Sequence, residues 1–132
     1  MEENTTPQTG HILIEGELTE KILNAAFKVQ IALGVGFIEK VYENAIVVEL
    51  RRQGVGVHQQ KPLKVAYEGV VVGDFVADLI VEERVLLECK AVANLDAVHD
   101  AQVLNYLKAT GIRVGLLLNF GRTKLQFKRL VR

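Results

Sequence analysis

One cysteine, two prolines and no tryptophan among 132 residues deprive several protein classes of their raw material. A lone Cys89 permits neither an internal disulfide nor a cysteine-rich zinc site, so a reducing cytoplasm is the expected compartment. No stretch approaches the roughly 18 apolar residues that mark a membrane span, and the opening MEENTTPQTG lacks the apolar core of a targeting leader. Residues 1–10 are expected to form a mobile tail ahead of one domain over 11–132. Net charge is missing too. With 16 Lys and Arg against 16 Asp and Glu, no overall field draws the chain to a polyanion. A local stripe of Lys124, Lys128, Arg129 and Arg132 is where phosphate contact is expected, because affinity follows charges near the nucleic-acid backbone rather than their total.

What is present is apolar patterning, with 49% hydrophobic residues, in a chain of single-domain size. Over 17–33, Leu18, Ile22, Ala25, Ala26, Val29 and Leu33 recur at three- and four-residue spacing, the signature of an amphipathic helix that Gly34 and Gly36 end. A second helix is predicted over 38–53, with Val41, Ala45 and Val48 on its stripe and Gly54 as its stop. Alternation then replaces helical spacing and predicts strands over 57–67, 70–81 and 85–91. Their connections are short enough to force antiparallel neighbours. A third helix over 95–110 is long enough to serve as a crossover, so the apolar strand at 114–118 is expected to pair in parallel and to be buried on both faces. A basic strand over 124–131 suits a sheet edge. The fold class is therefore α/β with a mixed sheet, in the order α-α-β-β-β-α-β-β.

Ionisable residues interrupt two of these apolar strands. In Leu86-Leu87-Glu88-Cys89-Lys90, alternation turns Glu88 and Lys90 to one face, with Cα atoms about 6.5 Å apart. Cys89 points the other way, into the core, where it acts as a small hydrophobe. Ten residues upstream, Asp78 interrupts FVADLIV and falls within reach of Glu88 across the hairpin. Carboxylates in mid-sheet need a cation or hydrogen bonds to compensate their burial. Two carboxylates with a backbone carbonyl and water suit Mg²⁺ or Mn²⁺, and Lys90 then stands where it orients an attacking water or stabilises charge on a phosphate. Taken alone, an E-x-K triplet describes an ordinary surface pair.

Two further groups extend the pattern. Glu39 and Tyr42 share a face at the start of the second helix, in GFIEKVY, and Gln102 and Tyr106 share a face of the third, in QVLNY. His11, His58 and His99 show no metal-ligand spacing and read as surface or capping residues. Gly34, Gly36 and Gly73 form no phosphate loop, since no Gly-Lys-Ser/Thr follows.

GFIEKVY, DFVADLIVEERVLLECKAV, QVLNY and VGLLLNFG, in that order, resemble the PD-(D/E)xK nuclease superfamily, and within it a small stand-alone group named for a G-x-x-E-x-x-Y motif. The resemblance spans nearly the whole chain. It departs at Ala77, where the superfamily name has proline, a position that varies. The resemblance implies a restriction-endonuclease-like core, with Asp78 and Glu88 as metal ligands and the backbone carbonyl of Cys89 as a third. It implies that Lys90 is the catalytic lysine, that Glu39 binds the metal or its water, and that Gln102 and Tyr106 position substrate or steady the lysine. The implied activity is Mg²⁺- or Mn²⁺-dependent hydrolysis of phosphodiester bonds in nucleic acid, DNA above RNA. A homodimer would place one site on each strand of a duplex. The competing readings are a catalytically silent module of the same fold that holds nucleic acid or a partner protein, and a structural α/β domain whose charges satisfy one another.

Overall fold

Apolar spacing sets the first helix as expected. In the computed structural model, which describes residues 13–132, α1 (Gly16–Leu33) buries Leu18, Ile22, Ala25, Ala26 and Val29. The tail expected at 1–10 and His11 lie outside the described residues. The second helix, α2 (Glu39–Arg52), is rotated from its expected orientation. It buries Tyr42, Glu43, Ile46, Val47 and Leu50, whereas Val48 is 55% exposed. The row Tyr42-Ile46-Leu50 offers more apolar volume than Val41-Ala45-Val48, and stacking of Tyr42 on Phe120, with centroids 4.7 Å apart, fixes the choice.

Five strands follow the expected connectivity. β1 (Val57–Tyr67), β2 (Val70–Val81) and β3 (Val85–Lys90) form an antiparallel meander. Helix α3 (Ala97–Thr110) then crosses over, so that β4 (Val114–Asn119) lies parallel to β3, and β5 (Gln126–Val131) returns antiparallel at the edge. The sheet order is β1-β2-β3-β4-β5, and β4 is buried throughout. One apolar cluster joins α1 and α2 to one face of the sheet, and a smaller cluster joins Val103 and Leu107 of α3 to the other. Helix α3 begins at Ala97 rather than 95 because Asp96 caps it: its side chain accepts from Val98 N, and its own N–H donates to His99 Nδ1 (3.1 Å). That contact gives His99 the capping role expected of it.

The basic stripe expected along the last strand is not a stripe. Alternation sends Arg129 inward, 2% exposed, where its guanidinium donates to Ile14 O and to Thr19 Oγ1 (3.3 Å). Lys128 turns to the other face and holds Asp100 of α3 at 2.6 Å. Only Lys124 and Arg132 remain exposed, beyond opposite ends of β5.

A clamp closes the sheet where β3 ends. Buried Asn119 accepts from Val92 N and Gly121 N and donates to Val92 O (2.9 Å) and Gln126 Oε1 (2.9 Å). Phe120 N donates to Lys90 O (2.8 Å), so the chain leaves the strand directly after Lys90. A Cβ on Gly121 would lie 2.2 Å from Val92 O, a backbone atom without room to move. Gly121→Ala should therefore lower unfolding free energy by about 3 kcal/mol. Gly73→Ala, with nothing within 4 Å of the added carbon, should be near neutral. Equal urea midpoints for the two variants would refute the clamp.

Candidate metal centre

The two strand carboxylates meet where β2 and β3 part. Ladder pairing between these strands runs from Val81 with Val85 to Leu79 with Leu87. At the next step the side chains take over from the backbone. Asp78 N donates to Glu88 Oε2 (2.8 Å), and Cys89 N donates to Asp78 Oδ2 (2.9 Å). Each acid thus satisfies an amide that the diverging ladder leaves without a partner. Glu88 is only 3% exposed.

Burial works against the charge of both carboxylates. Desolvation first, and then the neighbouring Asp78, push Glu88 from its ordinary 4.5 to about 8, against the lowering effects of the Asp78 N–H and Lys90. Asp78 is raised as well, chiefly by burial and then by Glu43 and Glu39, while the Cys89 N–H and Lys90 pull it down. Lys90 offsets part of this acid and Lys40 pairs with Glu43 (3.1 Å), and the oxygen donors of Asp78 and Glu88 fit a divalent cation that prefers oxygen. Among the described residues no three His, Cys, Asp or Glu side chains are grouped to hold a metal ion, so a cation bound here would need water and a backbone carbonyl beside the two acids, a donor set that Mg²⁺ accepts.

The other predicted residues fall on two sides of this pair. Glu39, the first residue of α2, lines a cleft of about 610 Å³ with Gly36, Phe37, Glu43, Gln60 and Asp78. Its helix start is held by Tyr42, whose hydroxyl donates to Gly34 O (2.6 Å) and accepts from Phe37 N (3.3 Å). Tyr42 also stacks on Phe120, which holds Lys90 by its carbonyl. Tyr42 is therefore a brace between the start of α2, where Glu39 lies, and the backbone of Lys90. Gln102 and Tyr106 do not line this cleft. They belong to α3, where Gln102 Nε2 donates to Tyr106 OH (3.0 Å) and the Tyr106 ring stacks on Phe75 at 4.2 Å. Tyr106 is still close enough to feel the acids: burial raises its pKa first, then Glu88 and Asp78. The Cys89 side chain is fully buried in the α1–α2 cluster, and burial pushes its thiol well up.

With this geometry in view, the sequence profile described as the PD-(D/E)XK nuclease superfamily matches residues 16–130. The chain belongs to that superfamily. Its mixed five-stranded sheet with three helices is the restriction-endonuclease-like fold. Membership points to nuclease-type chemistry on nucleic acid, and PD-(D/E)XK nucleases typically use divalent metals. No curated protein matches the chain. A solved structure titled "Crystal structure of SSO0001" is similar at 13% identity over 91% of this chain and 80% of that one, with a TM-score of 0.46. Among the described residues, no helix is long and apolar enough to cross a membrane.

One acid of this cleft is not among the residues expected from the sequence. Glu43 is 3% exposed in the cleft, and its Oε2 accepts from Lys40 Nζ (3.1 Å), Gln59 Nε2 (2.7 Å) and Gln60 Nε2 (2.9 Å). Its spacing of four from Glu39, on one helical face, was the available signal.

The raised Glu88 sets a pH dependence. In the metal-free protein the folded state keeps a proton that the unfolded chain releases above 4.5, so the associated stability is full below 4.5 and is lost as pH rises through about 8. Melting temperature in EDTA should fall between about pH 5 and about pH 8, and Glu88→Gln should flatten that slope. A parent protein that melts higher at the upper end of this window would contradict the buried acid.

Proposed function

We propose that this protein hydrolyses phosphodiester bonds in nucleic acid with Mg²⁺ or Mn²⁺, with DNA preferred on the analogy of its superfamily. The carrying observation is the pair of half-buried Asp78 and buried Glu88, hydrogen-bonded where β2 and β3 part, with Lys90 acting electrostatically on both.

Asp78 and Glu88 would hold the cation, with the Cys89 carbonyl as third donor and Glu39 reaching it through water. When bound, such an ion neutralises charge on the scissile phosphate and lowers the pKa of water. The chain's own groups do the rest. Lys90, partly exposed and fixed by its carbonyl, orients the attacking water or meets charge developing on the phosphate. Tyr106, steadied by Phe75 and Gln102, positions substrate or the lysine from the α3 side. A symmetric pair of copies, one site per strand of a duplex, belongs to the same proposal. Sedimentation velocity tests that part: a monomer that cuts both strands removes it.

Labelled single-stranded, duplex, flap, junction and RNA substrates, incubated with Mg²⁺ or Mn²⁺, test the reaction. Asp78→Ala and Lys90→Ala should each reduce cleavage by about a hundredfold or more while circular dichroism stays unchanged. Full activity in either variant would sink the assignment.

A second reading has an observation of its own. With Lys128 and Arg129 engaged by Asp100 and Thr19, two of the four C-terminal cations are lost to phosphate binding, which among silent modules favours one that holds a partner protein over one that holds nucleic acid. Such a scaffold has no need of metal at Asp78 and Glu88, so calorimetric titration with Mn²⁺ separates the two.

A further inference from the structure

Strand alternation reverses at Asp78. Near the start of the hairpin, Val57 of β1 and Leu79 and Val81 of β2 pack on the α1–α2 side. Farther along, odd-numbered residues face the other way: Ala77 and Leu63 pack with α3, and Phe75 stacks on Tyr106. Unbroken two-residue periodicity would keep all of these on one face. Pairing registers Gln59 with Leu79 and Lys61 with Ala77, so both strands change face across one step, and the residues at that step are Gln60 and Asp78.

Gln60 carries the backbone cause. Its φ is 55°, in the left-handed region that a side chain with a Cβ disfavours. No glycine relieves it and no turn requires it, for it lies inside an 11-residue strand. A strained residue persists where its surroundings hold it. Here the holder is Glu43, buried on α2, whose Oε2 accepts from the Gln60 amide at 2.9 Å and from the Gln59 amide at 2.7 Å. Without the reversal, Asp78 would share the α3 side with Ile80. With it, Asp78 lines the cleft beside Glu39 and Glu43.

We infer that Gln60, anchored by Glu43, is a positioning residue for the metal site: its left-handed backbone reverses the face of β2 and turns the Asp78 carboxylate toward Glu39. The inference rests on the metal-dependent reading above. It asks more than that reading does, since Asp78 and Glu88 could bind a cation whatever holds the hairpin.

Titration calorimetry with Mn²⁺ on Gln60→Gly, Gln60→Asn, Gln60→Ala and Gln60→Val tests it. Glycine and asparagine tolerate left-handed φ and should bind within about threefold of the parent. Valine, the least tolerant, should bind about tenfold or more weakly, as loss of a supporting group does at metal sites, with alanine between them. A residue with only a structural role would move the melting temperature and leave Mn²⁺ affinity alone. If the valine protein does not fold, the alanine protein still decides by its distance from glycine. Equal affinity across the folded variants overturns the inference and leaves the metal site standing. No binding by the parent overturns the metal reading, and this inference with it.

Discussion

Two carboxylates accept the backbone amides of each other's strand segments, and most of the structure is arranged to keep them there. Asp78 and Glu88 replace the ladder bonds that β2 and β3 stop making beyond Leu79 and Leu87. As backbone acceptors they need no cation. As carboxylates they would gain from one, for burial leaves Glu88 titrating near 8. Acids raised in this way are common at sites kept for chemistry.

The bracing around the pair comes from residues that do no chemistry. Tyr42 ties the loop before α2 to Phe120, Phe120 ties β4 to Lys90, and Asn119 with Gly121 pins the chain just past Lys90. The fragments GFIEKVY and LLLNFG, far apart in sequence, are two halves of one support. They hold a glutamate and a lysine to either side of the acid pair. The fit is close at Gly121, where no side chain can be added. It is soft at the cleft mouth, where Glu39 is exposed and has room to meet a water or a substrate.

Much of this was legible in the sequence, because periodicity reports burial directly. Leu18 to Val29 announced α1, the runs at 70–81 and 85–91 announced a hairpin whose second strand ends at Lys90, and Val114 to Leu118 announced a strand buried on both faces. Asp78 and Glu88 stood out because charge is costly in such runs. What periodicity could not give is which of two plausible stripes a helix buries, so α2 came out rotated until the Tyr42–Phe120 stack decided it. Nor could it give a reversal of faces within a strand. The left-handed backbone at Gln60 has no residue signature, and glutamine there reads as an ordinary polar position. Arg129 and Lys128 misled for the opposite reason. Basic letters at an edge suggest phosphate, but one was drawn inward to Ile14 and Thr19 and the other to Asp100.

In the proposed function the acids at the parting of β2 and β3 are a site for a divalent cation. Anomalous diffraction from crystals grown with Mn²⁺ tests it most directly. One strong Mn²⁺ peak is expected in contact with carboxylate oxygens of both Asp78 and Glu88. Ordered crystals with no peak there, or with Mn²⁺ bound only elsewhere, would contradict it.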